Sequence, residues 1–246
     1  MSLPIVFLHA FPLDASMWLD QASAVADRTV LAPDFPGFGS RPAGPSSLDE
    51  FADVVLADMD AAGVERAVVV GLSMGGYVAF RIHAKRPDRI AALFLADTRA
   101  GPDDEAGRKR RADQAERVRR EGVAWLAGAM IPGVLGETTR SERPEVVERV
   151  RSLVSGADPE GVARALLAMR DRPDSRPQLE RMDFPVVAAV GEEDTLTPPA
   201  ESQAIVDGVP QGRFVAIPGA GHLSSLEEPT RFNAALGAFL ARLDRR

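Results

Sequence analysis

The stretch that most restricts how this chain can fold is Val68-Val69-Val70-Gly71-Leu72-Ser73-Met74-Gly75-Gly76-Tyr77. A β-branched run, of the kind buried on both faces of a sheet, passes through Gly-x-Ser-x-Gly straight into a helical pattern. Such a turn, the elbow, is sharp and holds its serine in a strained backbone conformation. Gly71 and Gly75 suit it, because a Cβ at either position would strike the crossing strand or helix. Ser73 is then expected above the sheet edge, at the N-terminus of the next helix, with the backbone N–H of Met74 aimed at any oxyanion formed there. The bland alternative is a glycine-rich strand-to-helix turn without chemistry, so the rest of the chain has to decide.

The alternation around that stretch sets the architecture. Strands are expected at Leu3–Leu8, Thr29–Ala32, Arg66–Val70, Ile90–Ala96, Phe184–Val190 and Arg213–Ile217. Helices are expected at Ser16–Ala26, Ser47–Ala62, from the elbow to about Lys85, at about 198–208, and at Pro229–Leu243. Ser16 and Ser47 read as N-caps, with Glu50 at the capping-box spacing from Ser47. Gly63 ends the second helix, and Arg86-Pro87 stops the one after the elbow. Glu227-Glu228 places negative charge at the N-terminus of the last helix. Alternation of this kind implies a parallel sheet covered on both faces.

Residues 99–181 break the rhythm. They are rich in Arg and Glu, interrupted by Gly and Pro, and lack a strand pattern. Helices are expected there at about 106–120, 122–130, 144–154 and 159–170. The chain therefore divides into a core, residues 1–98 and 182–246, and an inserted helical cap, residues 99–181. At the carboxyl ends of the strands an insertion lies where open α/β sheets bind ligands. Packed elsewhere, it would be an appendage.

With 246 residues, 45% of them hydrophobic, the chain can build one large core, so one domain with an insertion is expected. The absence of cysteine rules out disulfides and thiolate metal sites. No apolar run approaches the ~20 residues of a membrane span. The N-terminus, Met1-Ser2-Leu3-Pro4, has neither the basic region nor the hydrophobic segment of a signal peptide, which favours a cytoplasmic protein. A formal net charge of −7 argues against a nucleic-acid partner.

A serine nucleophile needs a base, and the base needs an orienting group. The three histidines offer a small choice. His222 lies in the flexible stretch Pro218-Gly219-Ala220-Gly221-His222-Leu223, directly after a strand, and is the favoured base. His83 lies ten residues past Ser73 inside a helix, about 15 Å along it by helix rise, and reads as a packing or surface residue. His9 ends the first strand and reads as shaping the loop that carries Phe11. For the orienting acid, Asp194 follows strand 184–190, 28 residues before His222. Asp97, at the end of strand 90–96, is the competitor. Glu192 and Glu193 read as solvated. The resulting order is Ser73, Asp194, His222.

Taken together, these segments resemble the α/β-hydrolase superfamily over nearly the whole chain. His9-Ala10-Phe11-Pro12 resembles the family's His-Gly oxyanion loop, with Ala10 where the family usually has glycine. Asp34-Phe35-Pro36-Gly37-Phe38-Gly39-Ser40 resembles its Asp-x-x-Gly-x-Gly-x-Ser turn. Gly71–Gly76, Gly191–Asp194 and Gly221-His222 match its three triad segments. Within the superfamily the chain is similar to the esterase and 3-oxoadipate enol-lactonase branch, and to cofactor-free haloperoxidases (perhydrolases).

The resemblance implies an α/β-hydrolase fold with a mostly parallel sheet of about six strands, because the chain starts at the strand that is third in the family. Strand 29–32 should then be a sheet edge, open to another chain, so a monomer or a homodimer is expected. It further implies a serine hydrolase that cleaves small-molecule esters or lactones through an acyl-enzyme, with Phe11 and Met74 as oxyanion donors. No metal or organic cofactor is implied. Serine at position 73 argues against the haloalkane-dehalogenase and epoxide-hydrolase branches, which carry aspartate there. Other readings are a perhydrolase, a carbon–carbon bond hydrolase, or a non-catalytic ligand receptor. Trp125, Leu126, Met130, Ile131 and Leu223 are candidates for an acyl pocket, and those of the insertion serve equally as its own core. The run Arg108-Lys109-Arg110-Arg111, with Arg117, Arg119 and Arg120, suits either an anionic substrate or a solvated helix face.

Overall fold

A computed structural model describes residues 2–44 and 46–245. At its centre is a six-stranded sheet in the order β2-β1-β3-β4-β5-β6, parallel throughout. The strands are β1 (Ile5–Leu8), β2 (Val30–Leu31), β3 (Ala67–Leu72), β4 (Ile90–Ala96), β5 (Val186–Gly191) and β6 (Gly212–Ile217). β1, β3 and β5 are buried at every position, and β4 at all but one. A strand covered on both faces has no place for polar alternation, which is why these read as unbroken apolar runs. The edges differ. The expected strand 29–32 contracts to the two half-buried residues of β2, and β6 begins exposed.

Around the sheet lie α1 (Leu19–Ala24), α2 (Leu48–Ala61) and α3 (Met74–Lys85). The segment between β4 and β5 forms α4 (Glu105–Glu121), α5 (Leu126–Val134), α6 (Glu137–Glu142), α7 (Pro144–Ser155) and α8 (Pro159–Arg170). α9 (Pro199–Gly208), α10 (Ser224–Glu227) and α11 (Pro229–Leu243) complete the chain. Among the described residues, no helix is long and apolar enough to cross a membrane.

The capping box of α2 forms as its spacing requires. Ser47 Oγ accepts from Glu50 N–H and Glu50 Oε2 accepts from Ser47 N–H, both at 3.2 Å. The first helix corrects the sequence reading. Asp14, not Ser16, is the cap, accepting from Ser16 N–H at 2.8 Å, and the turn Ala15–Trp18 is 3-10 before α1 begins. A carboxylate satisfies the same orphan donor and adds favourable charge at the helix start. α6 was not expected and α5 starts later than expected. Glu137–Glu142 carries no apolar stripe, so its helical state comes from contacts with the core described below.

The helical segment meets the core at its root and on both flanks. At its root, Ser175 N–H donates to Ala100 C=O at 2.9 Å. Buried Arg172 there pairs with Asp103 at 2.9 Å and lies 4.4 Å over the Tyr77 ring. On one flank Gly161 of α8 packs backbone to backbone on Gly37, so a Cβ built on Gly161 would fall 2.6 Å from Gly37 Cα. On the other flank the α5–α6 turn abuts the loop after β6. The basic run of α4 is largely neutralised: Arg108, Lys109, Arg111, Arg117, Arg119 and Arg120 each pair with a carboxylate. That arrangement fits the solvated-face reading.

Candidate active site

The site is assembled from the carboxyl ends of β1, β3, β4, β5 and β6. Ser73 joins β3 to α3 at φ 52° and ψ −109°, a backbone conformation that L-residues rarely adopt. The turn survives because its neighbours lack side chains. A Cβ on Gly71 would lie 2.6 Å from the Gly75 carbonyl carbon, and one on Gly75 would run into the Leu8 carbonyl. Ser73 N–H donates to Ala96 C=O at 2.9 Å, and Thr98 Oγ1 donates to Ser73 C=O at 2.9 Å. The β4 end thus grips the strained residue from both sides.

The structure brings Ser73, His222 and Asp194 into one hydrogen-bonded line. His222 Nε2 lies 2.8 Å from Ser73 Oγ, and Nδ1 lies 2.8 Å from Asp194 Oδ2. Nδ1 faces only that carboxylate and the Thr197 hydroxyl, 3.0 Å away, so Nδ1 carries the proton and Nε2 is free to accept one. Asp194 Oδ1 accepts from the N–H groups of Leu196 and Thr197 at 2.8 and 2.9 Å, and Thr197 Oγ1 donates to Oδ2 at 2.6 Å. Burial alone would raise this carboxyl. The charge that His222 carries when protonated, with the bonds from His222 and Thr197, outweighs it and holds Asp194 below its ordinary value.

Asp97, the competitor from sequence, is fully buried at φ 46°, and its carboxylate bonds are to groups other than the His222 ring. It accepts from Gly191 N–H at 2.8 Å and from the Ser224 hydroxyl. Burial, then the nearby Asp194 charge, pushes it well above the usual carboxylate range. His83 packs away from the site, 2.9 Å from Gln178 Oε1 and edge-on to Phe184. His9 is buried. Its Nε2 accepts from Phe35 N–H at 3.0 Å, so Nδ1–H donates to Ala10 C=O at 3.0 Å. Burial lowers it to about 4, so it stays neutral and ties the β1 loop to the Asp34 turn.

Phe11 follows β1 and Met74 follows β3, the neighbouring strand, so their backbones emerge side by side. Among the described residues neither N–H has a protein acceptor. Of the candidate pocket residues, Leu223 is buried beside His222 and Met130 is partly buried. Trp125 lies 3.9 Å beneath the Arg117 guanidinium, on a groove between α4 and α5. Among the described residues, no three His, Asp or Glu side chains gather to hold a metal ion.

Several engaged residues escaped the sequence reading. Glu193 is half-buried and engaged: its carboxylate accepts from Thr138 N–H at 2.9 Å and from the Thr138 hydroxyl. Glu227 and Glu228 do more than supply charge to α11. Glu227 is buried and accepts from Leu223 N–H at 3.0 Å and Gly136 N–H at 2.8 Å, while Glu228 pairs with Arg143. In sequence neither stands out, since Leu223-Ser224-Ser225-Leu226-Glu227-Glu228 reads as a mixed polar stretch.

Comparison with known proteins agrees with this fold. A thermophilic esterase from Thermogutta terrifontis superposes with a TM-score of 0.96 at 41% identity, covering 99% of this chain and 91% of that one. An enol-lactonase from Burkholderia xenovorans gives a TM-score of 0.90 at 27% identity, over 98% and 92%. In sequence, 3-oxoadipate enol-lactonase 2 from Acinetobacter baylyi is 27% identical over 243 residues, 98% of this chain and 89% of the relative. The alpha/beta hydrolase family model matches residues 5–235, and with the parallel sheet and the strained serine turn already in place, the chain belongs to the alpha/beta hydrolase family.

Proposed function

We propose that the protein is a serine hydrolase that cleaves carboxylic esters of small molecules through an acyl-enzyme. The observation that carries this reading is the line Ser73–His222–Asp194, with both spacings at 2.8 Å, ending on a serine in a strained strand-to-helix turn. His222 Nε2 takes the Ser73 proton as Oγ attacks the ester carbonyl. The N–H groups of Phe11 and Met74 receive the oxyanion, a contribution of about 3–4 kcal/mol per donor in comparable sites. Protonated His222, its charge balanced by Asp194, then gives its proton to the leaving alcohol. Water, deprotonated by His222, attacks the acyl-enzyme and releases the acid. In this reading residues 99–181 act as a cap, with Trp125, Met130 and Leu223 as candidates to line the acyl pocket. A lactonase is the second reading, favoured by the enol-lactonase relatives. The chemistry is the same, but the leaving alkoxide stays tethered to the acyl group.

Hydrolysis of p-nitrophenyl acetate, butyrate and octanoate by wild type and Ser73→Ala tests the reading, with mass spectrometry after a fluorophosphonate probe. The expected result is turnover lost on the order of 10⁴-fold or more in Ser73→Ala, with one adduct, on Ser73. Turnover that survives in Ser73→Ala, or folded wild type that takes no adduct, would sink it.

A further inference from the structure

The loop carrying His222 is held largely by groups outside the sheet that delivers it. The Gly219 carbonyl accepts from Arg143 at 3.1 Å, and the Ala220 carbonyl accepts from Glu193 N–H at 2.9 Å. His222 N–H donates to the Val134 carbonyl, at the end of α5, at 3.0 Å. Leu223 N–H donates to Glu227, whose other carboxylate oxygen accepts from Gly136 N–H in the α5–α6 turn. Glu227 is only 2% exposed, so both its oxygens are committed to backbone donors, one on each side of a seam. The seam has no slack: a Cβ on Gly221 would lie 2.8 Å from the Leu135 carbonyl carbon, and one on Gly136 would lie 2.9 Å from Gly221 N. Arg143 closes the far side, donating to the Glu227 carbonyl at 3.0 Å and pairing with Glu228.

We propose that Glu227 is a positioning residue for His222. Its carboxylate fastens the residue after the base to the α5–α6 turn and so fixes the ring over Ser73. The helical segment is thereby part of the frame that aims the base. This rests on the reading of His222 as general base. Misplacement by about 1 Å costs on the order of 100-fold in rate. Glu227→Gln keeps the volume but turns one acceptor into an N–H₂ group facing a buried N–H, so one of the two bonds must break.

The test compares wild type, Glu227→Gln and Arg143→Met, which keeps the stem but removes the Gly219 and Glu227 carbonyl anchors. Four readouts are taken: kcat and KM on the best p-nitrophenyl ester, the rate of fluorophosphonate labelling, the melting temperature, and the downfield proton NMR line of the His222–Asp194 hydrogen bond. Glu227→Gln is expected to lower kcat and labelling by about 10- to 100-fold, to leave KM within about twofold, and to shift or broaden the NMR line. Arg143→Met should do the same to a smaller degree. Wild-type kcat and an unmoved line in folded Glu227→Gln would overturn the inference, as would a loss that follows melting temperature alone. If Glu227→Gln does not fold, an unmoved line and unchanged kcat in Arg143→Met overturn it instead. Should wild type neither turn over esters nor take the probe, the hydrolase reading fails. The NMR line still decides whether Glu227 holds the ring.

Discussion

Ser73 and His222 stand 2.8 Å apart, yet they are held by opposite means. Ser73 is fixed locally. Gly71 and Gly75 permit the turn, β1 closes on it from one side, and the end of β4 grips its backbone from the other. All of that belongs to the strands and the turns at their ends. His222 sits on a loop of glycine and alanine whose bonds run to Val134, Arg143, Glu193 and Glu227, three of which are far away in sequence. The difference teaches that Ser73 is placed by the core alone, whereas the His222 loop is held in part by the helical segment between β4 and β5.

The sharpest break comes from the member that links the two regions. Asp194→Asn should lower kcat by about 10⁴-fold with the fold intact, because the amide stabilises the wrong ring tautomer. A comparable loss from Asp97→Asn instead would mean that the acid has been misassigned.

Gly75→Ala attacks only the elbow. Its new Cβ meets the Leu8 carbonyl, so we expect about 1–3 kcal/mol of lost stability, with slower fluorophosphonate labelling and an unmoved His222–Asp194 NMR line. A moved line would show that the two regions are not separately supported.

The mildest probe is Asp97→Asn, expected to change kcat by less than about tenfold, since the Asp97 carboxylate hydrogen-bonds Gly191 and Ser224 and neither Ser73 nor the His222 ring. Its effect on stability has a definite sign. The folded-state value of Asp97 is raised by burial and by Asp194. Folding therefore favours the protonated acid, and wild type loses stability as pH rises from about 4, the unfolded value, through the raised folded one. Asparagine removes that loss. Thermal melts should show the variant gaining on wild type from pH 4 to 8, and a gap constant with pH would refute the account.

Most of the sheet was legible because its signals are local. The β-branched run, Gly-x-Ser-x-Gly, Arg86-Pro87 and Ser47-x-x-Glu50 each act within one turn of chain. The sequence favoured Asp194 over Asp97 without excluding Asp97, because both end a strand at the same side of the sheet. What separates them is which loop lies against the imidazole, and that is a tertiary fact. α6 was missed for the same reason: Glu137–Glu142 has no apolar period, and Thr138, Thr139 and Arg143 matter only once they touch the core. Glu193 and Glu227 look like ordinary surface acids until backbone N–H groups from the α5–α6 region come to meet them.

The contact between Gly37 and Gly161 bears on how such an enzyme could be re-engineered. Two bare backbones touch there, one in the turn after β2 and the other at the start of α8. A helical insertion borrowed from another family member would bring its own residue to that meeting point. Anything larger than hydrogen would land on the Gly37 main chain and tilt the graft. The helices between β4 and β5 are therefore not a portable module, and a transplant of them has to carry the Asp34–Ser40 turn along.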